Sequence, residues 1–115
     1  MKDAIVKIVV FVPVPYADAV RKAMGEAGAG AIGNYKFSSF SVKGFGRFLP
    51  IKGARPAIGK IGKLEKVAEE RIETVCRKKD LAKVIKAIKK VHPYEEIALD
   101  IYPLLPISHN SYYKE

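Results

Sequence analysis

His92, Glu95 and Glu96 fall within one short stretch, "VHPYEE", residues 91–96. An imidazole beside carboxylates is a donor set that divalent transition metals accept. One turn of chain is an incomplete ligand set, however, and the second histidine, His109, lies in the C-terminal stretch. His92 and Glu95 are the expected ligands if a divalent ion is held here. The alternative reading is structural: Pro93 stops a helix, Tyr94 packs, and the carboxylates face a basic neighbour. Cys76 stands at the other end of that helix, about 18 Å away at a rise of 1.5 Å per residue, too far to share a metal with His92 of the same chain. As the single cysteine it also excludes an intrachain disulfide and a multi-cysteine zinc site. No Ser/His/Asp arrangement, paired general acid and base, or activated nucleophile is legible. The expected protein is therefore not an enzyme.

Two glycine motifs suggest other chemistry. Gly28-Ala29-Gly30-Ala31-Ile32-Gly33 has the G-x-G-x-x-G spacing of a dinucleotide fingerprint. That fingerprint needs a strand before it and a helix after it, because the pyrophosphate rests on the helix N-terminus. Here a helical pattern precedes Gly28 and a strand-like pattern follows Gly33. No acid follows Glu26 until Glu65, so the ribose-binding carboxylate is missing too. The glycines are expected to stop the helix at positive φ and turn the chain into a sheet. "KGFGRFLP", Lys43–Pro50, matches the first four positions of the RNP1 signature of RNA-recognition domains. On that reading Phe11 and Phe45 would stack single-stranded RNA bases. The signature belongs on the third strand, and here a further element intervenes before the second helix. Nucleic acid is thus not the expected partner.

Charge points more strongly to the middle of the chain. The net charge is +9, and residues 27–64 hold seven Lys and Arg with no acid. Such a segment attracts anions. Its glycines expose backbone N–H groups that suit the same ligands. The expected ligand-binding residues are Lys43, Gly44, Gly46, Arg47, Lys52, Gly53 and Arg55, on a long glycine-rich loop, Gly44–Gly62, with Tyr94 beside it. The alternative is that this loop is a subunit-packing ribbon.

The elements that must carry these residues follow from pattern. "AIVKIVVFV" (Ala4–Val12) is β-branched and bounded by prolines, and reads as a buried strand. Tyr16, Val20, Ala23, Met24 and Ala27 are spaced as one helix face, opened by Pro15 and ended at Gly28. Asn34–Val42 reads as a second strand. "LEKVAEERIETVC" has slightly more helical than strand character. "KDLAKVIKAIKKVH" is an amphipathic helix that Asp80 can cap, with Leu81, Val84, Ile85, Ile88 and Val91 inward. Glu96–Leu105 reads as the last strand. If the ambiguous segment is a strand, the order is βαββαβ. This gives an α+β, ferredoxin-like fold with two helices on one face of an antiparallel sheet. Residues 1–105 then form one domain, and 106–115 a polar tail. No apolar run reaches the ~18 residues of a membrane span. Asp3 and Lys7 interrupt the signal-like start, so a cytoplasmic, soluble protein is expected.

"GEAGAGAIGNY", "FSVKGFGRFLPIKGARPAIGKIGKLE", "EERIETVC" and "HPYEEIALDIY", taken in order, resemble the insert domain of Nif-three-like (NGG-one-interacting factor) proteins. The resemblance runs from about Val12 to Tyr102. "HPYEE" is also similar to a turn of the CutA divalent-cation tolerance proteins, and both groups share a ferredoxin-like fold with PII signalling proteins. The resemblance implies that "ERIETVC" is a strand and that the chain forms a homo-oligomer, a trimer. The dinuclear metal site of the Nif-three-like body lies in domains not represented here, and the PII nucleotide loops are not found. The resemblance itself conveys no activity; with the basic glycine loop, the expected function is a non-catalytic, regulatory PII/CutA-like module for a small anionic ligand or a protein partner, the alternatives being divalent-metal binding and single-stranded RNA binding. No cofactor is implied beyond a divalent metal or small anion.

Overall fold

The computed structural model describes residues 4–107. Its elements are β1 (Ile5–Pro13), α1 (Ala17–Glu26), β2 (Phe40–Phe48), β3 (Glu65–Arg77), α2 (Leu81–Val91) and β4 (Leu99–Pro103). The four strands form an antiparallel sheet in the order β2-β3-β1-β4. This is the expected α+β, ferredoxin-like order, with "ERIETVC" inside a strand. The polar tail from residue 108 onward, with His109, lies outside the described residues. Among the described residues no helix is long and apolar enough to cross a membrane.

Strand alternation sorts the side chains onto two faces. Val6, Ile8, Val10 and Val12 of β1, with Ile72 and Cys76 of β3, meet Val20 and Met24 of α1 and Val84 and Ile88 of α2. Leu99 and Ile101 of β4 close the same core. The other face carries Phe11, Glu69, Arg71 and Glu73, which the register places on neighbouring strands. The helical periodicity of residues 64–75 is overridden because β3 is paired on both sides, to β1 and to β2.

The glycines after α1 build a helix stop. Gly28 N–H donates to the Gly25 carbonyl at 3.1 Å and Ala29 N–H to that of Met24 at 3.0 Å, with Gly28 at φ 110°. These are the two bonds of a Schellman motif, and Ala29 and Met24 both enter the core.

Three boundaries differ from the sequence reading. The second strand is Phe40–Phe48, not Asn34–Val42. Residues Ile32 and Tyr35 bridge each other in a turn, and Phe37 takes a left-handed φ of 60°, its ring laid on Gly25 of α1. "KGFGRF" is therefore strand, and the glycine-rich connection runs over residues 49–64 instead of 44–62. That connection is closed at its base by a 2.8 Å bond from Gly62 N–H to the Pro50 carbonyl. The last strand is also shorter than Glu96–Leu105. Asp80 sits at the start of α2 but makes no side-chain cap bond. A 3-10 turn, Lys78–Asp80, already gives it helical backbone angles, and its carboxylate lies 3.9 Å from Arg77.

Burial, and then Asp80, push the Cys76 thiol up from 9.0 to about 11. Because the folded value is the higher one, the folded state resists ionisation. Its contribution is fully present below about pH 9 and is lost as pH rises towards 11. Urea midpoints should fall between pH 8 and pH 10.5, and less so in Cys76→Ala. An equal fall in both proteins would assign the effect to other groups.

Candidate ligand-binding cleft

The sheet face away from the helices is partly covered at one end. There the connection after β2 folds back and meets the turn that follows α2. Arg55 N–H donates to Glu95 Oε1 at 2.7 Å, tying the two segments together. Between them and the β2–β3 pair lies an open cleft of about 720 Å³. Phe11, Phe48, Leu49, Pro50 and Ile58 give it apolar walls, and Glu69, Arg71, Tyr94 and Glu95 bring polar groups.

His92 fixes the turn from behind. It is buried, and its Nε2 lies 2.7 Å from the Phe11 carbonyl, while Tyr94 N–H approaches Nδ1 at 3.2 Å. A carbonyl can only accept and an amide N–H can only donate, so Nε2 carries the proton and Nδ1 accepts. Both ring nitrogens are thus engaged inside the chain. Tyr94 is thereby held over β3: its hydroxyl donates to Glu69 Oε2 at 2.9 Å, and its ring meets Phe48 edge-on at 5.6 Å between centroids. Burial first, and the Glu69 bond second, raise the Tyr94 hydroxyl well above its usual range, so it remains a donor.

Glu69 lies almost flat on the sheet. The register sets it opposite Gly44, and a Cβ at the next same-face glycine, Gly46, would stand 2.1 Å from Glu69 Oε1. Two residues on, Arg71 shares its face, pairs with Glu73 at 3.0 Å and lies over the Phe11 ring at 5.5 Å. Glu70 points the other way, to Arg21 of α1 at 2.5 Å. Arg21 also holds Asp18 and Ser41, and Glu70 leads the causes that raise its guanidinium.

No family model matches the chain. A Bacillus subtilis protein named "GTP cyclohydrolase 1 type 2 homolog" is 51% identical over 102 residues, which are 89% of this chain and 27% of that protein. A Bacillus cereus protein related to NIF3, solved by crystallography, superposes with a TM-score of 0.81 at 49% identity, over 92% of this chain and 27% of that one. The chain is a homologue of one segment of the Nif-three-like proteins. It spans about a quarter of the length of the curated relatives it matches. CutA1 from Oryza sativa shares the fold at a TM-score of 0.68 and 16% identity, over 98% of this chain and 93% of that one. The B. subtilis GlnK–ATP complex does so at 0.61 and 14%, over 90% and 84%.

Within this Nif-three-like segment the expected site residues divide. Lys43, Gly44, Gly46, Arg47, Tyr94 and Glu95 line the cleft, whereas Lys52, Gly53 and Arg55 lie outside its lining. Alternation along β2 puts Gly44, Gly46 and Phe48 on the Glu69 face and Lys43, Phe45 and Arg47 on the opposite one, met at the free edge of the strand. The same parity separates Phe11 from Phe45, so they do not form one stacking platform for RNA; the signature also sits on the edge strand, β2. His92 and Glu95 are not gathered into a ligand set: the ring faces Phe11 and Tyr94, the carboxylate faces Arg55 N–H. Among the described residues no three His, Cys, Asp or Glu are placed to hold a metal ion. Glu69, Arg71 and Phe48 were not singled out by sequence reasoning. The signal available was the alternation Glu69-Arg71-Glu73, three charges on one face of a strand.

Proposed function

We infer that this segment is a non-catalytic binding module that takes a small ligand with an anionic group in the cleft and works as a homo-oligomer, a trimer. The cleft itself is the observation that supports the reading: an apolar, aromatic-lined hollow with a few convergent polar groups is what small-molecule sites look like. Arg71 is the cation on its floor, with Lys43 and Arg47 at its β2 edge. Self-association is supported by the apolar side chains left exposed on β2 and after it, Phe40 at 68%, Phe45 at 61% and Ile51 at 70%. Phe40 and Phe45 lie on opposite faces of this edge strand, and large apolar side chains left exposed there are surface that a partner copy could cover.

A thermal-shift panel of nucleotides, carboxylates, divalent metals and short RNA tests the ligand reading. A cleft ligand at about 100 times its Kd adds about 2.7 kcal/mol of stability. Arg71→Met should weaken an anionic ligand by about 1.5–3 kcal/mol, the worth of a charged hydrogen bond. Arg55→Met should leave it unchanged, and light scattering should give the same mass for all three proteins. If no compound stabilises the wild type, the ligand reading fails; a monomer mass removes the oligomer.

A further inference from the structure

We propose that the cleft is built for a zwitterion, a small molecule of the α-amino-acid type whose ammonium nitrogen meets Glu69, whose carboxylate meets Arg71 and whose apolar side chain enters the aromatic end. The proposal rests on the ligand reading above and narrows it.

Glu69 carries it. Its side chain belongs to a residue only 8% exposed, yet the carboxylate has no ion pair among the described residues. The nearby cations are committed elsewhere: Arg71 pairs with Glu73, and Arg21 with Glu70 and Asp18. Burying most of a carboxylate without a counter-ion is costly. One oxygen is satisfied by the Tyr94 hydroxyl. The other, Oε1, accepts no hydrogen bond among the described residues, and it is not sealed from solvent, since no fully buried side-chain atom there lacks a partner. It sits over Gly46 on the cleft wall, in space that a Cβ would fill. An acceptor held this way, with aromatic rings beside it, suits an ammonium group, which gains from both carboxylate and ring.

Arg71 stands two residues further along the same strand on the same face. At about 3.3 Å per residue the two Cα atoms are about 6.6 Å apart. An acid and a base side by side at that spacing complement the two charges of an amino acid, and fit neither a simple anion nor a simple cation as well. Glu73 engages Arg71's guanidinium at Nε and the Tyr102 hydroxyl bonds it as well, so a carboxylate would be met by the N–H groups that these two leave. Phe11, Phe48 and Tyr94 then receive the apolar remainder.

Three matched probes test this without altering the protein: L-phenylalanine, phenethylamine and 3-phenylpropionate, which carry both charges, the ammonium alone and the carboxylate alone. Calorimetry should show phenylalanine binding about tenfold or more tighter than either single-charge probe, each lost contact being a charged hydrogen bond. Glu69→Gln keeps the shape and an acceptor for Tyr94, and should erase the preference of phenylalanine over 3-phenylpropionate. Arg71→Met should erase its preference over phenethylamine. Melting temperatures of both variants confirm that they fold. Equal affinity for the three probes in the wild type overturns the proposal, as does discrimination that survives Glu69→Gln. If none of the three binds while nucleotides or other anions in the panel do, the zwitterion is wrong and the cleft reading stands. If nothing in the panel binds, the cleft reading falls with it.

Discussion

Replacing His92 with alanine is expected to lower the unfolding free energy by about 2–5 kcal/mol, because it strands two part-buried groups at once. The ring links the Phe11 carbonyl in β1 to the Tyr94 N–H in the turn after α2. Each group left without a partner costs about 1–3 kcal/mol, less whatever water entering the cavity recovers. Tyr94 would also lose the anchor that sets its hydroxyl on Glu69, so ligand affinity should fall with stability. Urea unfolding read by circular dichroism measures the first effect, and the thermal-shift panel the second. A loss below about 0.5 kcal/mol, typical of a surface substitution, would show that the two bonds contribute little. Zinc or copper at the same site would have to displace one of these bonds, so His92→Ala also reports on metal: an affinity that disappears with the imidazole would restore the metal reading.

Gly30→Ala is expected to cost about 2–6 kcal/mol, for two reasons that add. Gly30 has φ 84°, which an alanine adopts only at about 1–3 kcal/mol. Its Cβ would also lie 2.5 Å from the Ser38 carbonyl oxygen and 2.6 Å from Ser38 N. Those atoms cannot yield easily: Ser38 N–H donates to the Gly30 carbonyl at 3.0 Å, and Thr74 Oγ1 holds the Ser38 carbonyl at 2.7 Å. Forcing the backbone apart adds about 1–3 kcal/mol. Gly33→Ala is the control. Its φ is 55° and nothing lies within 4 Å of its Cβ, so only the conformational cost of about 1–2 kcal/mol remains. Equal losses at the two positions would mean that the close approach of Ser38 is not what requires Gly30.

The glycine motif shows how far sequence reasoning reached. Its place after one helical pattern was enough to exclude a pyrophosphate site and to assign a helix stop, and the Schellman bonds at Gly28 and Ala29 bear this out. The two helices were legible for a similar reason, since each presents an apolar stripe at helical spacing to one sheet. β2 was misplaced because local composition misleads on both sides of it. Tyr35 and Phe37 look like strand residues but serve a turn and a lid on α1, while Gly46, a poor strand former, is tolerated where Glu69 lies across it. The candidate site suffered most. Its polar centre sits on β3, the segment whose periodicity pointed to a helix. On a helix, Glu69 and Arg71 would have faced different directions; only pairing with β1 and β2 puts them side by side. The acid-free run of residues 27–64 suggested an unopposed positive surface, yet folding brings it against Glu69, Glu95 and Glu96.

β3 is longer than the strand it pairs with in the sheet centre. Its register with β1 ends at Pro13 and Glu69, so Glu65–Ala68 are bonded to Phe45–Phe48 alone. Two strands by themselves are marginal in water. Amide protons of this pair should therefore exchange through openings well short of global unfolding, while those of Ile8 and Ile72 wait for the whole domain. The cleft lies against this easily opened end. Anything that fills it would be felt first as slower exchange at Phe45–Phe48, which makes occupancy and local order two readings of one equilibrium.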